Sequence, residues 1–143
     1  MQLDVTRFPL LLVHWNGPEA DEVMERFISA YDTFAQRAVR ERRHYVVVSV
    51  GDADWTPRQR KRMAAWMDAH LDGDGRWDLG SHIVLHGALA RGTLTALKWL
   101  VPRFQKVFVH PDEPSALAAA QASLEAARKV GRATGNSKPK RAG

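Results

Sequence analysis

At 143 residues, with 45% hydrophobic and 26% charged side chains, the chain has the make-up of one globular domain, and no apolar run approaches the ~20 residues a membrane-spanning helix requires. It contains no cysteine, which excludes disulfides, thiolate nucleophiles and cysteine–zinc sites. The net charge of +5 invites an anionic partner, but four of the 21 Lys and Arg residues (Arg132, Lys138, Lys140 and Arg141) lie past Gly131, leaving 17 against 16 acids in residues 1–130. A nearly neutral body argues against nucleic-acid binding. Residues 131–143, rich in Gly and Lys and without apolar periodicity, read as a disordered basic tail able to touch a peripheral anionic surface. The first four residues lack the basic and apolar regions of a secretory signal, so a cytoplasmic setting is expected.

In chain order, Leu3 and Val5 suggest a short first strand, interrupted at Pro9, which cannot donate to a ladder. Residues 10–15 follow as a second strand, apolar on both faces and therefore central. Residues 18–42 read as a long helix, with Glu19, Asp21 and Glu22 in its first turn and Arg37, Arg40, Arg42 and Arg43 near its end, the order the helix dipole favours. Val23, Phe27, Ile28, Tyr31, Phe34, Ala35 and Ala38 form its apolar stripe. Residues 45–50, Tyr-Val-Val-Val-Ser-Val, are a buried strand. A polar loop then leads into a helix announced by Thr56, Pro57 and Gln59, the pattern of a capping box with proline at the first helical position. Met63, Trp66, Met67 and Leu71 give that helix its apolar side.

Residues 72–75, Asp-Gly-Asp-Gly, read as a turn. A strand is expected from Ser81 or His82 to His86, a loop over 87–92, and a short helix over 93–101 with Leu94, Leu97 and Leu100 inward, stopped by Pro102. Residues 106–110 form the last strand. Asp112 caps a final helix whose buried side carries Leu117, Ala120, Leu124 and Ala127. The order β-β-α-β-α-β-α-β-α implies an α/β domain over residues 1–130, with a mixed, mainly parallel sheet of about five strands, about four helices and right-handed crossovers. Strands apolar almost throughout, beside helices with narrow stripes, suggest helices mainly on one side.

The six histidines raise a metal question. His82 and His86 lie four apart on a strand, ~13 Å at ~3.3 Å per residue, too far to share an ion. His14, His44 and His110 lack a carboxylate at ligand spacing, so no metal and no cofactor is expected. Counted from Asp72, the glycine and carboxylate positions of a calcium loop hold Trp77 and Ile83. Residues 87–93 sit where a phosphate loop would, but lack its lysine. Arg58, Arg60, Lys61 and Arg62 crowd the end of a helix that disfavours cations. Either the exposed turn tolerates them, or Asp52 and Asp54 offset them, or they meet an anionic partner or lipid head group. Asp52 and Asp54 at a strand end also allow acid–base work by a small enzyme.

Three stretches carry a resemblance: Val-Val-Val-Ser-Val-Gly-Asp-Ala-Asp leading into the central helix, Thr-Pro-x-Gln-Arg from Thr56 to Arg60, and Arg-Gly-x-Leu-Thr-Ala-x-x-Trp from Arg91 to Trp99. With the order of elements, they make residues 1–130 resemble a STAS-type domain, the fold of bacterial anti-sigma factor antagonists, and most of all small bacterial STAS-like proteins. The resemblance implies a non-enzymatic signalling or scaffold module acting by protein–protein interaction, on a regulatory protein or a second copy of itself. Because some STAS-like proteins are similar to lipid-binding domains, it also implies an alternative, a module for a lipid or small apolar ligand. Family members carry a phosphorylatable Ser in an Asp-Ser-Ser-Gly-like stretch. Here that place holds Asp54-Trp55-Thr56-Pro57, so the implied phosphorylation falls on Thr56, a residue also wanted for capping. The expected working surface is Asp52, Asp54, Trp55, Thr56, Arg58 and Arg62, joined by Arg91 if the two strand–helix loops leave one sheet edge. Within it, Trp55 is either an interface anchor or a staple folded back on the apolar layer.

Overall fold

The short apolar runs pair into one sheet of five strands: β1 (Gln2–Asp4), β2 (Leu10–His14), β3 (Tyr45–Val50), β4 (Asp78–Val84) and β5 (Val107–His110). The structure, a computed structural model, describes residues 1–88, 92, 95 and 106–135. The strands lie in sequence order, with β1 antiparallel to β2 and every later pair parallel. Among the described residues the α-helices are α1 (Asp21–Glu41), α2 (Pro57–Asp72) and α3 (Glu113–Gly135), with a 3-10 turn at Asp74–Trp77. The expected α/β class and mixed, mainly parallel sheet are what the structure has. The helix expected over 93–101 lies, apart from Thr95, outside the described residues. No helix among the described residues is long and apolar enough to cross a membrane.

β2 and β3 are buried on both faces. Leu11, Val13, Tyr45 and Val47 meet α1, through Met24, Phe27, Tyr31 and Phe34, and α2, through Met63 and Trp66. Leu10, Leu12, Val46, Val48 and Val50 face the opposite way, onto Ala116, Ala120 and Leu124 of α3. The expectation of helices mainly on one side is therefore corrected: α1 and α2 cover one face and α3 covers the other. Strand order supplies the reason. Right-handed crossovers that always step the same way lay their helices on the same face. α3 joins no further strand and returns across the face still open. Each fully buried Val or Leu contributes ~1.5–3 kcal/mol, so neither face is left to water cheaply.

β4 begins earlier than its apolar pattern suggests, at Asp78 rather than Ser81 or His82, and ends at Val84 rather than His86. Its register slips beside β3, where Tyr45 faces Asp78 but Val47 faces Ser81. This bulge turns Asp78 toward the α1–α2 face and His82 and Val84 toward α3. Gly80 sits in it with φ 112°, where an added Cβ would lie 2.5 Å from the Lys106 carbonyl oxygen. The stripe of α1 begins at Met24 in place of Val23. α3 runs on to Gly135, five residues into the stretch expected to be tail; residues 136–143 lie outside the described residues.

Gly51 closes β3 at φ 92°, and a Cβ there would come within 2.5 Å of the Trp15 carbonyl oxygen, a backbone atom that cannot step aside. Gly51→Ala is expected to destabilise the fold by at least ~2 kcal/mol, read from denaturant unfolding; an unchanged midpoint would contradict this geometry.

Candidate functional site

At the carboxyl ends of the parallel strands, Asp52 ties three loops together. Its carbonyl accepts the Gly17 amide (2.9 Å), and its carboxylate accepts the His86 amide (3.0 Å) from the loop beyond β4. The β3 and β4 loops thus leave one sheet edge, as parallel neighbours must. Asp54 follows in a left-handed conformation (φ 43°), which the short polar side chain of aspartate tolerates better than most. Trp55 is buried, its ring edge-on to Trp15 at 5.5 Å. Of the two readings of Trp55, the structure has the staple. Its indole nitrogen is buried without a hydrogen-bond partner among the described residues.

The capping box forms as the sequence pattern requires. The Gln59 amide donates to Thr56 Oγ1 (3.2 Å) and the Thr56 amide donates to Gln59 Oε1 (2.9 Å). Gln59 is buried, and its Nε2 donates both to the Glu19 carbonyl and to Asp21 Oδ1, each at 2.9 Å. One amide side chain therefore closes the start of α2 and fastens it to the start of α1.

The three arginines of this helix start are engaged within the fold. Arg58 lies 3.1 Å from Asp21, and Arg62 makes a two-pronged contact with Glu25, both arms at 2.8 Å. Arg60 donates to the Trp55 carbonyl at 2.7 Å. The compensating carboxylates thus come from α1, not from Asp52 and Asp54. The dent among these residues has a volume of 180 Å³, below the ~300–1,000 Å³ of small-molecule sites. Asp52, Asp54 and Trp55 lie in the loop that leads into α2, Thr56 is its cap and Arg58 and Arg62 are in its first turns, while Arg91 lies outside the described residues.

Two polar clusters have no counterpart in the sequence reading. Beneath α1, Asp78 Oδ2 accepts from the Tyr31 hydroxyl at 2.8 Å and lies 3.3 Å from the Tyr45 hydroxyl, which is 2.8 Å from His70 Nε2. Asp78 Oδ1 accepts the Gly80 amide at 2.7 Å. Burial, and then the neighbouring Asp78, push the Tyr31 hydroxyl well above its ordinary pKa of 10, so it stays a neutral donor.

On the opposite face, Nδ1 of buried His82 lies 2.8 Å from Nε2 of His110, and the Phe108 ring stacks on His82 at 5.0 Å. His14 Nε2 meets Glu113 Oε2 at 3.0 Å, a carboxylate 99 residues away that sequence spacing cannot bring into view. Among the described residues, no group of three or more His, Asp or Glu is arranged to hold a metal ion. Compared with known proteins, the chain matches no family model, no curated protein and no solved structure.

Two measurements test this geometry. Gln59→Ala removes the cap partner and also both bonds to the Glu19 carbonyl and the Asp21 carboxylate, so it is expected to cost ~2 kcal/mol or more, against ~1 kcal/mol for Thr56→Ala; equal costs would deny Gln59 its bridging role. Burial, and then His110, hold the His82 imidazole below its ordinary value of 6.5. Above that pH the ring is neutral in both folded and unfolded chains. Below it the unfolded chain takes up the proton first, so stability falls as pH falls toward the lower folded-state value. His82→Gln is expected to flatten the loss of melting temperature between about pH 7 and about pH 5; a slope as steep as wild type would remove His82 as its cause.

Proposed function

We propose that the chain is a STAS-like, non-catalytic module that works by binding a protein partner, and that β5 is the contact. The observation carrying this is the exposure of Phe108 (45%) and Val109 (58%) on a strand at the end of the sheet. One side of β5 is paired to β4; among the described residues no strand pairs the other, whose backbone groups are a template for an added strand. The strand Val-Phe-Val-His carries no Lys, Glu or Asp, the residues that commonly guard such edges. β1, at the other end, has Asp4 paired with Arg7 beside it. The expected surface at the start of α2 supports the reading less well, since Trp55 is buried and its arginines already have partners. Switching through Thr56 forms no part of this proposal, because that hydroxyl oxygen is the acceptor that caps α2. A second reading, a ligand-binding module, has an observation of its own in the groove described below.

The test is a photo-crosslinking residue placed at Val109 of the full chain in its native cell, followed by affinity measurement with the purified captured partner. Val109→Lys is expected to weaken that complex at least ~10-fold with an unchanged melting temperature, since a charge at the centre of an added-strand contact is unpaired there. Arg58→Glu/Arg62→Glu is expected to leave it intact. The reverse pattern would move the working surface back to α2. Capture of another copy of the chain would identify the partner as itself.

A further inference from the structure

α3 outruns the sheet it covers. Its 23 residues span ~35 Å at ~1.5 Å each, whereas the 6 residues of β3 cover ~20 Å. Leu124 is the last buried contact of α3 on the sheet, and the helix beyond it overhangs the amino-terminal ends of the strands. Between that overhang and the sheet lies a groove of about 590 Å³, within the ~300–1,000 Å³ of small-molecule sites. Pro9, His44 and Trp77, each just ahead of a parallel strand, supply one side. Leu124, Ala127 and Val130 supply an apolar strip on the other.

The groove's charge has one sign. Arg42, Arg43 and Arg128 line it, and among the described residues no Asp or Glu does. Arg43 is partly engaged, 3.8 Å from Glu41 and above the Phe8 ring. Arg42 and Arg128 are exposed and form no ion pair among the described residues. Glu125 lines a neighbouring depression that Arg128 also borders.

Trp77 Nε1 and His44 Nδ1 are both buried without a hydrogen-bond partner, their rings 5.2 Å apart. Both nitrogens are shut off from the groove as well as from solvent, so no ligand lying in the groove reaches them, and it is the exposed guanidinium groups that face it. An anion is what the Arg42 and Arg128 guanidinium groups lack. We propose that this groove binds a free amphipathic carboxylate, with its apolar body along Leu124, Ala127 and Val130 and its head held by Arg42 and Arg128 beside Trp77. Guanidinium groups grip a carboxylate through paired N–H donors, and the apolar strip rewards a hydrocarbon or aryl body over a bare anion. Protein on two sides of the groove suits a free molecule rather than a head group held in a bilayer.

The experiment is calorimetric titration of the full chain with decanoate below its micelle concentration. Acetate, decyltrimethylammonium and anionic phospholipid vesicles are titrated alongside. Decanoate is expected to bind at least ~10-fold more tightly than acetate or the cationic amphiphile, because both the head and the body are recognised. Arg42→Gln/Arg128→Gln, at exposed positions, is expected to weaken decanoate at least ~10-fold. Ala127→Trp, which fills the groove, is expected to abolish binding while circular dichroism reports an unchanged fold. Equal binding of decanoate and decyltrimethylammonium would overturn the proposal. So would decanoate affinity untouched in both variants, or binding to the vesicles with none to decanoate. The outcome is independent of the β5 contact, which lies on other residues.

Discussion

The structure depends on the two-sided burial of β2 and β3. Leu11, Val13, Val46 and Val48 are all at or near zero exposure, and they point to opposite faces in alternation. A sheet with such a centre needs cover above and below. The crossover helices α1 and α2 supply one layer because the strand order never reverses. The other layer falls to α3, whose alanines at positions 116 and 120 let it lie close on Val46, Val48 and Val84. The length of α3 then has a consequence at the far end: a helix longer than the strands it covers leaves an overhang, and an overhang beside strand ends makes a groove.

The same strand order shapes the carboxyl edge. Sheets that open a binding crevice there do so where the strand order reverses and neighbouring crossovers part to opposite faces. Among the described strands there is no reversal. The loops at that edge close on one another instead, through Asp52 to Gly17 and His86 and through Gln59 to Glu19 and Asp21. Polar side chains that would be candidates for chemistry in an open crevice here serve as ties between loops.

What could be read from the residues alone follows the range of the signal. β3 and the capping box at Thr56 were legible because a six-residue apolar run and a Thr-Pro-x-Gln start are local patterns. The start of β4 was not, because the bulge at Gly80 breaks the alternation that marks a strand, and Asp78 looks like a turn residue until Tyr31 and Tyr45 are placed around it. The placement of α3 was missed for a different reason. Its own stripe was read correctly at Ala120 and Leu124, but a stripe does not say which face of the sheet it covers. The His14–Glu113 contact and the groove assemble residues scattered from Pro9 to Gly131, and no periodicity links them.

Charge shows the difference between a total and a distribution. With residues 1–130 nearly neutral, the formal count directs attention to the basic tail. Within the fold, however, the cations are sorted. Those at the start of α2 stand opposite the acids of α1's first turns, which cancels their poor position at a helix N-terminus. Arg42 and Arg128 stand at the other end of the molecule, exposed and without an ion pair among the described residues. Arg42 lies at the C-terminal end of α1, where the helix dipole favours a cation, so holding it there costs little. Exposed cations beside an apolar strip form a feature that folding alone does not require. That separates the groove from the start of α2, where Arg58, Arg60 and Arg62 each have a partner inside the fold.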